Sequence, residues 1–223
     1  MDWRYNTIWL EQLDKDNFCE QDFKTKKHLN DKFDKAEYAI LQHYKFKEYS
    51  FDNLPQSDKL LYANFDWANF KDFKGIGRFQ NLKRLELHYC VKLENDNGIK
   101  PLKDTLQHLH INQSKKFEHS SELYQLKKLK VLCLNSCSPI ANLKFLNHFP
   151  ELLDFRFVDT NIIDGDLTPI LEHPTIRTVG FLNKRHFNYT DDQIKAELNL
   201  KSTKEYKHIV YKGKFQTYRY DYD

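Results

Sequence analysis

The sequence predicts an α/β solenoid: a curved parallel sheet on the concave face, short helices or 3-10 turns on the convex face, and a cap at each end. Three observations predict it. Apolar residues recur at one set of offsets in six stretches of the 223-residue chain. Five of those stretches centre on Leu85, Leu109, Leu132, Phe155 and Val179, each beginning one return after the last. Rows of apolar residues at i+3, such as Leu123, Leu126, Leu129 and Leu132, lead into the copies as a short 3-10 turn would. Repeats of about 20–29 residues that each supply one strand cannot bury their own apolar sides, so they stack and need capped ends.

Taken in order, residues 1–59 read as an N-terminal cap. Ile8, Trp9, Leu13 and Phe18 suggest a short helix, and Phe23, Phe33, Tyr38, Leu41 and Tyr44 fall near helical spacing. Lys45–Phe51 alternates polar and aromatic residues like an edge strand, and Leu54–Asp58 is a turn. About six repeats fill residues 60–188. The first is read on aromatics, Tyr62, Phe65, Trp67, Phe70 and Phe73. The clearest is Leu82, Leu85, Leu87, Cys90 and Leu93, and the last, at Ile176, Val179 and Phe181, is degenerate. Residues 189–223 form a C-terminal cap of a helix plus a hairpin. Thr190 and Gln193 make a capping box before Ile194 and Leu198, and His208–Tyr220 reads as two strands turning at Lys212-Gly213. The tail tyrosines 206, 211, 218, 220 and 222 are expected to pack over the last repeat. The whole of 1–223 is one domain.

The frame L-x-x-L-x-L-x-x-C-x-x-L at Leu82–Leu93 resembles the leucine-rich repeat family, in the short bacterial and SDS22-like class. That family keeps a small polar residue where Cys90, Ser114, Cys137 and Thr160 stand here, bonded to the turning backbone. The resemblance therefore implies structural thiols. The stretch Asp164-Gly165-Asp166-Leu167-Thr168-Pro169-Ile170-Leu171, followed by Asn183-Lys184-Arg185-His186-Phe187, is similar to the closing segment of small cytoplasmic bacterial leucine-rich-repeat proteins. Several of those resemble immunity proteins of polymorphic toxin systems. The implied function is a protein-binding module that neutralises a cognate bacterial toxin; the alternative is an SDS22-like scaffold for a cellular partner. The same segment also has a structural sense, with Asp-Gly as a tight turn and Asp166 as a helix cap.

Composition narrows the choice of partner. Thirty-five basic and 32 acidic side chains leave a net charge of +3, which disfavours nucleic acid, whose phosphates select a clear basic excess. The clusters at Lys24–Lys27 and Lys127–Lys130 lie among helical apolar positions and read as solvated faces. No window offers the roughly 20 apolar residues of a membrane span, and the polar opening lacks the apolar core of a signal peptide, so a cytoplasmic location is expected. The four cysteines have no framework spacing, and Cys133-x-x-x-Cys137 lacks a second pair to complete a zinc site. Gly75-Ile76-Gly77 lacks the lysine of a phosphate loop. No cofactor is expected.

Alternation along the strands would place three rows of side chains on the concave face. The first is Asn64, Arg84, His108, Val131, Asp154 and Thr178, and the second Asp66, Glu86, His110, Cys133, Arg156 and Gly180. The third is Ala68, His88, Asn112, Asn135, Val158 and Leu182, with Asn69, Tyr89, Gln113, Ser136, Asp159 and Asn183 at the rim. From these come the candidate partner contacts: Arg84, Glu86, His88, Tyr89, His108, His110, Asn112, Asn135, Asp154 and Arg156. Glu86, His110 and Cys133 stand side by side like a nucleophile set, but an open sheet supplies no oxyanion hole, so no enzyme is expected. His88, His108 and His110 lack a completing carboxylate in this reading, and no metal is expected.

Overall fold

A computed structural model describes residues 1–201 and 205–221. Eight strands form one sheet in sequence order: β1 (Phe18–Asp22), β2 (Tyr38–Gln42), β3 (Tyr62–Asp66), β4 (Arg84–His88), β5 (His108–Asn112), β6 (Val131–Asn135), β7 (Asp154–Arg156) and β8 (Thr178–Gly180). Every pairing is parallel. With 3-10 turns at Ile76–Arg78, Lys100–Leu102, Leu123–Gln125 and Lys144–His148 returning the chain, this is a leucine-rich-repeat solenoid.

The sheet begins far upstream of residue 60. Phe18–Asp22 and Tyr38–Gln42, read as helical from sequence, are strands, and the 3-10 turn Asp31–Lys35 connects them. Lys45–Phe51 is not a strand but the return after β2. The helical reading failed because Ala36 and Ala39 stand where later repeats carry leucine, which hides the frame. Size also misled the reading of the first repeat. Ala63 pairs with Leu85 and Phe65 with Leu87, so the frame there is Leu60-x-x-Ala63-x-Phe65-x-x-Ala68. The aromatic frame was two residues out of register. Period-two alternation keeps Phe65 inward and Asn64 and Asp66 outward, but Tyr62 and Trp67, read as inward, lie on the concave side and its rim, and Ala68, read as outward, is buried in the core.

The core lies between the sheet and the convex turns. Leu85, Leu87, Leu109, Ile111, Leu132, Leu134 and Phe155 from the strands meet Phe79, Leu102, Leu123, Leu146 and Ile170 from the returns, all fully buried. Each such side chain contributes about 1.5–3 kcal/mol. The slot after a strand holds a small residue, and Cys90, Cys137 and Thr160 make the expected backbone contact, whereas Ser114 Oγ is buried with no hydrogen-bond partner among the described residues. Cys90 Sγ lies 3.7 Å from Phe65 O, Cys137 Sγ 3.6 Å from Ile111 O, and Thr160 Oγ1 donates to Leu134 O at 2.7 Å.

At the C-terminal end, Gly165 adopts φ +70°, where a Cβ would stand 2.2 Å from His186 O, so a side chain cannot be accommodated. Asp166 Oδ1 accepts from Thr168 N at 3.0 Å at the start of α1 (Thr168–Glu172). Helix α2 (Asp191–Lys201) opens on a reciprocal box, Gln193 N to Thr190 Oγ1 and Thr190 N to Gln193 Oε1. The hairpin β9 (Lys207–Lys212) and β10 (Phe215–Tyr220) follows, closed by a two-residue turn at Gly213.

The hairpin touches the last repeat through Lys207 Nζ to Thr178 Oγ1, but Tyr206, Tyr218 and Tyr220 gather on Val131 and Cys133. The hairpin crosses the concave face together with the N-terminal segment. Asn6 N donates to Tyr218 O and Tyr220 N to Arg4 O, so the two ends of the chain are tied to each other. Tyr220 packs on Val131 and Cys133, and Trp3, Ile8 and Leu10 pack on Tyr38 and Tyr62. Tyr211 remains exposed, and Tyr222 lies outside the described residues.

Candidate functional site

The terminal segments divide the concave face into a covered and an open part. The corrected first row is Tyr38, Tyr62, Arg84, His108, Val131 and Asp154, and all six are buried. Arg84 donates to the carbonyls of Trp3, Tyr5 and Asn6, and its Nε reaches Glu86 Oε1 at 2.6 Å. Asp154 accepts from Tyr220 Oη at 2.7 Å and from Arg156 Nη2 at 2.7 Å. Arg156 also reaches Asn6 Oδ1. Arg84, Glu86, His108 and Asp154, expected to face a partner, are instead buried beneath the chain's own ends.

Electrostatics follow from that burial. Desolvation opposes the Glu86 charge, but the Arg84 guanidinium and the His88 hydrogen bond outweigh it and hold the carboxyl well below its usual range. Burial works against Arg156 too, and Asp154 more than compensates. Burial keeps His108 neutral and pushes His110 down to about 4, with Glu86 pulling the other way.

The third row and the rim stay accessible. Asp66, His88, Asn112 and Asn135 are half-buried, and His88 Nε2 lies 2.9 Å from Glu86 Oε2. The register shift brings Asp66 beside His88 and puts Trp67 on the rim in place of Asn69. Residues His43, Trp67, Tyr89, Gln113, Ser136 and Asp159, one per repeat, all have φ between 48° and 58°. Such a left-handed conformation is costly for bulky side chains. It recurs because it turns each N–H onto the next strand: Trp67 N to His88 O at 2.8 Å, Tyr89 N to Asn112 O at 2.9 Å. It also stacks the rings. His43 and Trp67 lie 4.9 Å apart at 7°, and Trp67 and Tyr89 5.5 Å apart at 14°. Trp67 is 41% exposed and Tyr89 45%. Further along, Gln113 Nε2, Ser136 Oγ and Asp159 Oδ2 continue the rim as a hydrogen-bonded chain. Sequence reasoning missed Trp67 and His43; the signal was an aromatic two residues after the second buried strand position, legible only in the correct register.

A cleft of about 330 Å³ runs between Asn6–Ile8 and the sheet, with Asn64, Glu86, His88, His108, His110 and Cys133 in its wall. A carboxylate does therefore stand with His88 and His110: one donor atom of each and one of Glu86 lie within 4.8 Å of one another. A second hollow, of about 530 Å³, lies among Phe117, Tyr124, Ile140 and Phe145. Its polar groups bond each other, His119 Nδ1 to Tyr124 Oη at 3.0 Å.

Cys133 is 2% exposed, and burial pushes its thiol up to about 12. Burial likewise raises Cys90 and Cys137 to about 12 and also raises Cys19. All four cysteines are free and buried. The native protein is accordingly expected to leave all four thiols unmodified by a colorimetric disulfide reagent over minutes, and to titrate four in denaturant. Rapid reaction of Cys133 in the native state would mean that the concave face opens.

No family model matches the sequence, and no curated protein matches it. Among solved structures, an internalin of Listeria monocytogenes is similar at 17% identity and a TM-score of 0.47. The similarity covers 75% of this chain and 53% of that one, so this chain spans about half the internalin's length. No helix among the described residues is long and apolar enough to cross a membrane.

Proposed function

We propose that the chain is a non-catalytic protein-binding module whose contact surface is the open strip of the concave side. That strip comprises Asp66, His88, Asn112 and Asn135 with the rim His43, Trp67 and Tyr89. The stacked, exposed rim carries the reading. Three aromatic rings are fixed by a backbone hydrogen-bonded to the neighbouring strand, so little side-chain entropy is lost on contact. Large rigid aromatics of this kind dominate interface energetics. The strip carries one carboxylate, Asp66, and no lysine or arginine, which suits a protein better than a polyanion. The sequence segments around Asp164–Leu171 and Asn183–Phe187 support the finer reading, an immunity protein that neutralises a bacterial toxin in the cytoplasm by direct association.

The test begins with affinity capture from the native cells. A partner encoded beside this gene and lethal when expressed alone supports the toxin reading; a housekeeping partner would replace it with a scaffold. With that partner in hand, Trp67→Ala plus Tyr89→Ala should weaken binding by more than about 100-fold, since two hot-spot aromatics cost about 2 kcal/mol or more each. Lys103→Glu on the convex side should change nothing. The reverse pattern would move the interface to the convex side.

A further inference from the structure

We infer that Glu86, His88 and His110 form a binding site for a divalent first-row transition metal, of which Zn²⁺ is the simplest occupant. The fold brings them together by two elementary rules. Glu86 and His88 are two apart on β4 and so share a face, and parallel register sets His110 of β5 directly beside Glu86. His88 Nε2 and Glu86 Oε2 are 2.9 Å apart. Two ligands about 2.1 Å from one metal at the tetrahedral angle are separated by about 3.4 Å, so a metal fits where a proton is now shared once the pair opens by about 0.5 Å. The His88 and His110 rings are edge-on with centroids 4.8 Å apart, which brings the third donor within a side-chain rotation. Two imidazoles and a carboxylate are the donor set of open zinc and iron(II) sites.

The surroundings fit a loaded site. Glu86 Oε1 is already fixed by Arg84, leaving Oε2 for the metal. The Asn112 amide lies 3.4 Å from His88 Nδ1; turned about, it offers its oxygen to the Nδ1–H of a metal-bound ring. Loading costs the hydrogen bond between Asn135 Nδ2 and His110 Nε2, now 3.1 Å. Asp66, beside His88, adds a second carboxylate that offsets the Arg84 charge.

Two further atoms point to what the open coordination positions would hold. Among the described residues His108 Nδ1 and Asn64 Oδ1 are buried without a hydrogen-bond partner, and both residues line the same cleft. An orphaned buried polar atom is destabilising unless water reaches it. Water in the cleft would serve both, and one such water on the metal is the simplest occupant of an open position. An anion is a poorer occupant, because Arg84 and Arg156 are already engaged by Glu86 and Asp154.

The experiment uses the full chain stripped with a chelator, titrated calorimetrically with Zn²⁺ and by visible absorption with Co²⁺. One equivalent of each should bind, with a cobalt spectrum of low coordination number. His88→Ala and His110→Ala, each verified as folded by circular dichroism, should lose about 100-fold or more in Zn²⁺ affinity. His28→Ala, remote and exposed, should lose nothing. Failure to bind one equivalent, or equal affinity in all three variants, overturns the proposal.

Discussion

Arg84→Met is expected to lower the stability of the protein by about 3–5 kcal/mol, the cost of stranding a buried charge. Arg84 is 3% exposed and is bonded to Glu86 and to three main-chain carbonyls of residues 3–6. Methionine fills most of the volume but removes the guanidinium from the Glu86 carboxylate, leaving it His88 and Tyr62, and withdraws a donor from each of those carbonyls. In a chain of this size such a loss lowers the melting temperature on the order of 10 °C. Adding Glu86→Leu should restore much of it, because the uncompensated carboxylate is then gone. Urea unfolding of the two variants beside the wild type checks both statements. Proteolysis adds an independent readout: the single variant should be clipped in its first ten residues, where the wild type is held to the sheet. A midpoint for Arg84→Met equal to the wild type would show that the terminal segment is not anchored through this residue.

The difference between what could be read from sequence and what could not lies in the kind of interaction. Repeats from Leu82 onward were legible because leucine recurs at inward positions, and inward position is a local property of the chain. So were the capping box at Thr190 and the turn at Gly165, which rest on neighbours. The two N-terminal strands were not, since Cys19, Ala36, Ala39 and Ala63 hold the frame with side chains too small or polar to announce it. Outward rows from β4 onward were assigned to the correct face yet not to the correct environment. Arg84 and Asp154 look like exposed contacts until residues 3–6 and 218–220 fold over them, and a pairing across about 80 to 210 residues leaves no periodic trace. The same crossing produced the cleft at Glu86, His88 and His110, which an open sheet would not have.

Phe51→Ala is the second large expected effect, about 3–5 kcal/mol, and it tests the corrected N-terminal architecture directly. Phe51 is fully buried, stacks on Phe70 at 3.8 Å between centroids, meets Phe65 edge-on at 5.3 Å and lies 6.3 Å from Phe73. It therefore joins the return after β2 to the first two turns of the next repeat. In a separate cap carrying an edge strand, its loss would loosen the cap and spare the array. In a continuous solenoid each repeat buries its neighbour, so the cavity weakens the interface through which stability is transmitted. One cooperative transition, shifted as a whole and seen alike by circular dichroism and tryptophan fluorescence, is the expected outcome. An early transition confined to the tryptophan signal, with the rest unfolding at the wild-type midpoint, would mean that residues before 60 fold as a unit apart. The small residues at 36, 39 and 63 make the first outcome the physical expectation. They are buried in the same core cluster as Phe51, whose ring packs on Phe65 and Phe70 of the next repeat.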